Sequence, residues 1–371
     1  MGLLPEIARD LHVTIPLAGF LVTAYALGVA VGAPVFTLTF NRVNRKTALA
    51  LLLLFFIAGN ALAAIAQNYG TLLAARLLAA LSHGTFFGIG AMVASSLVPR
   101  ERSAFAVATM FMGLTVAMVM GVPFGAFVGQ RFGWHAPFAI IAGIGIIALI
   151  SVLTLIQPME AGPQSVGAEL RSLLSRPVIL ALLTTLFGFG GVFTLYTYIS
   201  PILETVTGVS PSVVAALLVL FGVGTVIGNV VAGKYADRAL GPTLLAALGG
   251  LALVLALSTF MWRDVGGATA ATFAIGIFSF ATTTPLQMVV IRAAKGAPNL
   301  ASSANISAFN IGNALGAALG AVVIAKGGAL SSLGLWAAMM TVAGILAACL
   351  TLRELAVPLS SRACRGTATI G

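Results

Sequence analysis

Residues 201–238 read PILETVTGVSPSVVAALLVLFGVGTVIGNVVAGKYADR, and residues 5–42 read PEIARDLHVTIPLAGFLVTAYALGVAVGAPVFTLTFNR. A shift of 196 positions lays one on the other. Pro5 meets Pro201, Val13 meets Val209 and Leu21 meets Leu217. Gly28 and Gly32 meet Gly224 and Gly228, and Asn41 and Arg42 meet Asp237 and Arg238. A shift of 195 carries Ala117, Gly121 and Gly125 onto Gly312, Gly316 and Gly320. The chain reads as two copies of one unit, and internal repeats of this length are a common way to build membrane proteins.

The composition says where that unit lives. Of 371 residues, 60% are hydrophobic and only 8% are charged. A water-soluble protein carries about 25% charged residues, so a soluble enzyme, a disordered chain and a disulfide scaffold are all excluded. Cys349 and Cys364 are too few for a disulfide framework. A bilayer-crossing helix needs about 20 mostly apolar residues. Stretches of that kind lie near 15–40, 47–66, 71–97, 104–129, 134–157, 178–203, 212–233, 243–262, 267–291, 301–325 and 330–352. The expected fold is an all-α membrane protein with eleven visible helices in two parallel repeats. A full span, 178–200, precedes Pro201, whereas four residues precede Pro5. Symmetry therefore predicts two sets of six spans with the first one absent. Numbered from that one, the visible spans are 2 to 12.

The halves are expected at 1–157, with five spans, and 178–353, with six. A polar linker over 158–177 joins them, and a tail runs over 354–371. The formal charge is +10. Arg42, Arg45, Lys46, Arg100, Arg102, Arg171, Arg176, Lys234, Arg238, Arg292, Lys295, Arg353, Arg362 and Arg365 fall on one side, 14 of the 19 basic residues. Arg9, Arg131, Arg263 and Lys326 fall on the other. The positive-inside rule places the first side, with the linker and the C-terminus, in the cytoplasm. The charge then reads as topology and contact with anionic lipid, and no nucleic-acid partner is expected.

Several motifs go beyond hydropathy. Gly233–Arg238, GKYADR, follows span 8, and its first-half counterpart Thr37–Lys46, TLTFNRVNRK, keeps Arg42, Arg45 and Lys46. Span 5 carries GVPFGAFVG, Gly121–Gly129. Gly2–Leu11, GLLPEIARDL, and His83–Gly88, HGTFFG, complete the set. With these segments the chain resembles the major facilitator superfamily. GKYADR resembles its cytoplasmic loop signature, while Thr37 and Asn41 depart from it in the first half. The span 5 segment is similar to the glycine–proline signature of the drug:proton antiporter branch, with Val122 where a glycine is usual. The other two resemble the sugar-efflux and chloramphenicol-resistance subgroup. The resemblance implies that spans 2, 5, 8 and 11 meet across the halves and that spans 1, 4, 7 and 10 line a central cavity.

Gly113, Ala117, Gly121, Gly125 and Gly129 recur every four residues, as do Ala308, Gly312, Gly316 and Gly320. Small residues at that spacing share one helix face and admit a close neighbour. Two readings stand: ordinary helix packing, or a sliding seam on which the halves rock. Pro123 predicts a kink. Asp237 lies near a helix C-terminus, where the macrodipole disfavours it. It either pairs in a solvated loop with Lys234 or Arg238, or latches onto the N-terminus of span 5 near Ser103.

Arg76 is costly inside a span and should face protein or water. His83, seven residues on, shares its face, and Phe87 continues the stripe. Imidazole is the side chain that titrates near neutral pH. Arg76 and His83 are thus expected as substrate or proton-coupling contacts; the alternative is a snorkelling arginine and a packed histidine. Phe189 and Tyr196 on span 7, and Thr284 and Gln287 on span 10, are the expected cavity contacts of the second half. Such a wall suits a small amphipathic solute; the alternative is aromatics that face lipid or pack in the core. No phosphate loop, metal-ligand cluster or paired acidic motif is present in the sequence, so neither an enzyme nor a cofactor is expected. The leading expectation is a monomeric, multi-pass exporter of small organic solutes in the bacterial inner membrane. It would be driven by proton antiport. The alternatives are a sugar or nucleoside uniporter or importer on the same fold, and a transport-dead truncated product.

Overall fold

The computed structural model describes residues 3–40, 43–99, 106, 109–110, 113, 116–159, 173–294 and 298–356. A short helix α1, Leu4–Asp10, leads into α2, Ile15–Thr39, α3, Arg45–Ala64, and α4, Tyr69–Ser96. A π-helical turn, Ala117–Gly121, opens α5, Val122–Phe132, and α6, His135–Leu155, closes the first half. The second half contains α7, Arg176–Tyr196, α8, Pro211–Arg238, α9, Leu240–Met261, and α10, Val265–Ala281, which continues as Thr283–Ala293. It ends with α11, Pro298–Ala325, and α12, Leu333–Ala356. Among the described residues, ten helices are long and apolar enough to cross a membrane. The span expected near 104–129 lies partly outside the described residues.

Three prolines set the breaks. A proline removes its own N–H and clashes with the carbonyl four residues back. Pro285 acts on Ala281, where α10 is interrupted. Pro201 acts on Thr197, where α7 has just ended, so span 7 stops short of the expected residue 203. Pro123 acts on Val119, inside the π turn, which is the local form of the expected kink.

The repeat holds at the level of packing. The pairs α2–α4, α3–α4 and α3–α6 in the first half recur as α8–α10, α9–α10 and α9–α12 in the second. A Cβ on Gly28 would meet Leu77 and Ala80, and one on Gly224 would meet the Phe273 carbonyl. Gly32 rests on Leu81, and Gly228 rests on Ile277. The shift of 196 thus carries the partners with the glycines, Leu77 onto Phe273 and Leu81 onto Ile277. The halves join through α2–α11 and α5–α8.

The glycine rows are not the sliding seam between the halves. Spans 2, 5, 8 and 11 do meet across the halves, but their glycines mostly serve neighbours within a half. Gly312 lies on the Leu186 carbonyl, Gly316 on the Gly190 carbonyl, and Gly320 on Thr194 and Tyr198, so this row packs chiefly against α7. In the first half, among the described residues, a Cβ on Gly113 or Gly125 would meet nothing within 4 Å, Gly121 only its own Ala117, and Gly129 the Leu3 side chain. A four-residue spacing fixes that small residues share a face; the bundle decides which neighbour that face serves. Across the α2–α11 seam Thr23 reaches Ala314, and Gly19 lies under Tyr198, which reaches Ala317.

Candidate functional site

Close α2–α4 packing builds the first cluster. Gly84 lies against the Ala33 methyl, so the two helices approach and bring Tyr25 to the face that carries Arg76 and His83. The Arg76 guanidinium lies 4.1 Å from the Tyr25 ring centroid and 5.7 Å from that of Phe138. Such stacking holds a cation in an apolar surround. The Tyr25 hydroxyl is 3.1 Å from His83 Nδ1. The His83 and Phe87 rings lie 5.1 Å apart. The structure therefore brings Arg76, His83 and Phe87 together and adds Tyr25 as the residue that links them. The signal for Tyr25 was a lone phenol in an otherwise apolar span.

A second cluster is aromatic and belongs to the other half. Phe189 packs edge-on to Phe309 at 5.0 Å and to Phe280 at 6.2 Å. Tyr196 stacks on Phe221 at 4.3 Å. The Tyr196 hydroxyl is buried and, among the described residues, has no hydrogen-bond partner.

The third cluster grows from the α10 break. Thr282 and Thr283 donate to the Ser279 and Phe280 carbonyls and so satisfy loosened backbone acceptors. Thr284 donates to Asn229 Oδ1 at 2.9 Å. One turn further on, Gln287 Oε1 accepts from Asn305 Nδ2 at 2.6 Å. Thr284 and Gln287 thus sit in a neutral amide–hydroxyl patch. Asn229 and Asn305 are the members that sequence reasoning missed, because a single Asn in a span carries no periodic signal.

The basic-end residues are only partly resolved into a gate. Arg45 starts α3, is buried, and its backbone N–H donates to the Met159 carbonyl at 2.9 Å. Lys46 N–H donates to the N-capping Asn44 at 3.0 Å. A Cβ on Gly233 would meet nothing within 4 Å among the described residues, and Arg238 is exposed at the end of α8. Arg42, Ser103 and the Asp237 side chain lie outside the described residues, and so does the latch expected between Asp237 and span 5.

At the opposite end the halves are in contact. Tyr198 fits over Gly19, where a Cβ would strike its ring, and its hydroxyl donates to the Ala317 carbonyl at 3.0 Å. Thr23 donates to the Ala314 carbonyl at 3.4 Å, and Gln130 to the Pro211 carbonyl at 3.0 Å. Helix α1 packs on the turn Ile199–Pro201. Trp134 ties α1 down by donating to Asp10 Oδ2 at 2.7 Å. Glu6 and Glu204 lie at this contact, each with one buried carboxylate oxygen that has no hydrogen-bond partner among the described residues. Burial raises both above the usual carboxylate range. The Glu6 charge adds to the rise at Glu204, and Arg9 opposes it at both.

Two like helical halves that span a bilayer, joined along α2–α11 and α5–α8, with polar and aromatic clusters held between apolar helices, define a membrane transporter. A model of the Major Facilitator Superfamily matches residues 1–305. The chain is 48% identical over 328 residues to the inner membrane transport protein YdhP of Escherichia coli (strain K12), covering 88% of this chain and 84% of that one. It is 34% identical over 351 residues to a chloramphenicol resistance protein of Streptomyces lividans, covering 92% and 88%. Its fold matches an inward-facing bacterial homolog of the human lysosomal transporter Spinster with a TM-score of 0.67 at 18% identity, over 95% of this chain and 91% of that chain. The chain belongs to the major facilitator superfamily.

Proposed function

We propose that this transporter exports a small amphipathic organic solute across the bacterial inner membrane in exchange for protons. On this reading it works as a monomer, with the linker 158–177 and the C-terminus in the cytoplasm, and the two halves 1–157 and 178–353 rock about the bound solute. The observation that supports the reading is a pair of unlike clusters, one in each half. One half offers a guanidinium and an imidazole joined through Tyr25; the other offers aromatic rings and a neutral amide–hydroxyl patch. A solute with an apolar body and a few hydrogen-bonding groups matches both. The resistance-protein relative favours export. Arg42, Arg45, Lys46, Gly233, Asp237 and Arg238 form the cytoplasmic gate in this scheme.

The test uses proteoliposomes loaded with candidate solutes and an imposed pH gradient. Antiport requires solute to move against the proton flow. A uniporter would ignore the gradient, and that result would remove the proton-coupling claim. His83→Ala should keep solute binding and lose the pH-gradient response. Arg76→Gln removes a cation–π contact worth about 1–2 kcal/mol, so transport should fall roughly tenfold with folding retained. Full activity in Arg76→Gln would place the substrate elsewhere.

A further inference from the structure

Between the start of α7 and the last turns of α12 lies a cleft of about 160 Å³, lined by Arg176, Leu180, Leu350, Arg353 and Glu354. The Arg176 side chain is 77% exposed, and its Nε lies 3.5 Å from Glu354 Oε1, whose side chain is 20% exposed. Arg353 is exposed beside them. Among the described lining residues, two guanidiniums and one carboxylate sum to a net charge of +1. Leu180 is one turn after Arg176, and Leu350 is one turn before Glu354. On both helices the leucine therefore lies one turn deeper in the membrane than the charge. On the same pair of helices Thr184 and Thr351, with hydroxyls 3.2 Å apart, hold α7 to α12.

We infer that this cleft is a binding site for an anionic phospholipid, with the headgroup phosphodiester on Arg176 and Arg353 and an acyl chain along Leu180 and Leu350. The charges stand at the ends of membrane-spanning helices, where lipid phosphates lie. A monoanionic phosphodiester neutralises the +1 cleft. A zwitterionic headgroup brings no net charge and leaves the excess uncompensated. The apolar residues continue in the direction an acyl chain takes, which a free phosphate would not use. Glu354 tempers the site, since its pairing with Arg176 competes with the lipid for that guanidinium.

The experiment is native mass spectrometry of the full chain released from mixed micelles that contain phosphatidylglycerol and phosphatidylethanolamine with matched acyl chains. One phosphatidylglycerol should be retained in at least about tenfold preference, given roughly 1 kcal/mol per basic residue at the surface. Retention should fall to the phosphatidylethanolamine level in R176Q/R353Q and hold in large part in R176K/R353K. It should rise in E354Q, which frees Arg176. If the double glutamine variant fails to elute as a monodisperse species, R353Q alone should lose retention several-fold. Equal retention of the two lipids by the wild type would overturn the proposal, as would unchanged phosphatidylglycerol retention in the folded glutamine variants. Displacement of the lipid by millimolar inorganic phosphate would overturn it as well, because the site would then read phosphate without the chain.

Discussion

Glu6 and Glu204 show how a single side chain reports on a contact between halves. Burial holds both above the ordinary carboxylate range, so the folded protein favours their protonated forms. The folded state then binds more protons than the unfolded one. The linkage sign follows: stability is greatest at acid pH and falls as pH rises from the ordinary carboxylate value through the raised one. The thermal midpoint of the purified protein should therefore be higher at pH 5 than at pH 8. Glu204→Gln should flatten that slope and raise the pH 8 midpoint; an identical slope in the variant would show that the carboxylate does not sense burial there. Neither residue stood out in the sequence beyond a position near a span end, because their burial comes from α1 packing onto the turn Ile199–Pro201. Arg76 and His83 were legible for the opposite reason. A charge inside a long apolar run is conspicuous whatever surrounds it, while its partner Tyr25 is visible only once α2 and α4 are side by side.

At the scale of elements, the sequence located helices well and their neighbours less well. Hydropathy placed the ends of α2, α3 and α6 within about two residues. The breaks at Thr197 and Thr282 were missed because their causes, Pro201 and Pro285, lie inside the apolar runs. The glycine rows gave the right face and the wrong partner. The densest small-residue contact also went unremarked: Gly188, Gly190 and Gly191 on α7 receive Gly344, Gly312 and the Ala337 carbonyl from two neighbouring helices. A substitution pair separates the two kinds of glycine. Gly316→Ala drives a methyl onto the Gly190 carbonyl, and overpacking of this kind costs about 1–3 kcal/mol. Gly125→Ala meets nothing within 4 Å among the described residues and gains helix propensity, so it should be neutral or stabilising by up to about 1 kcal/mol. Thermal unfolding of both variants in one detergent checks the contrast. Equal midpoints would mean that α7–α11 packing relaxes at no cost.

The whole molecule is two like sets of helices that meet along α2–α11 and α5–α8. Within the second half, glycine lets backbone touch backbone along α7, α11 and α12. Between the halves, the described polar links are single hydrogen bonds, such as Thr23 to Ala314 and Gln130 to Pro211, each worth about 1 kcal/mol net. Backbone-to-backbone packing within a half, with few polar links between the halves, suits rigid-body rocking, since the core of a half does not deform continuously. Transport by rocking must break the contacts at this end in every cycle. Holding them closed should therefore stop exchange without harming either half. In a background with Cys349 and Cys364 changed to Ser, Thr23→Cys with Ala314→Cys, joined by a short cleavable thiol cross-linker, should lower solute exchange by at least about tenfold, as expected if more than 1.4 kcal/mol is added to the cost of opening. Cleavage should restore it. The singly substituted proteins treated in the same way should keep their activity, which separates locking from modification. Exchange that persists in the cross-linked protein would show that the α2–α11 seam stays closed throughout the cycle, and the motion would then have to be sought within a half.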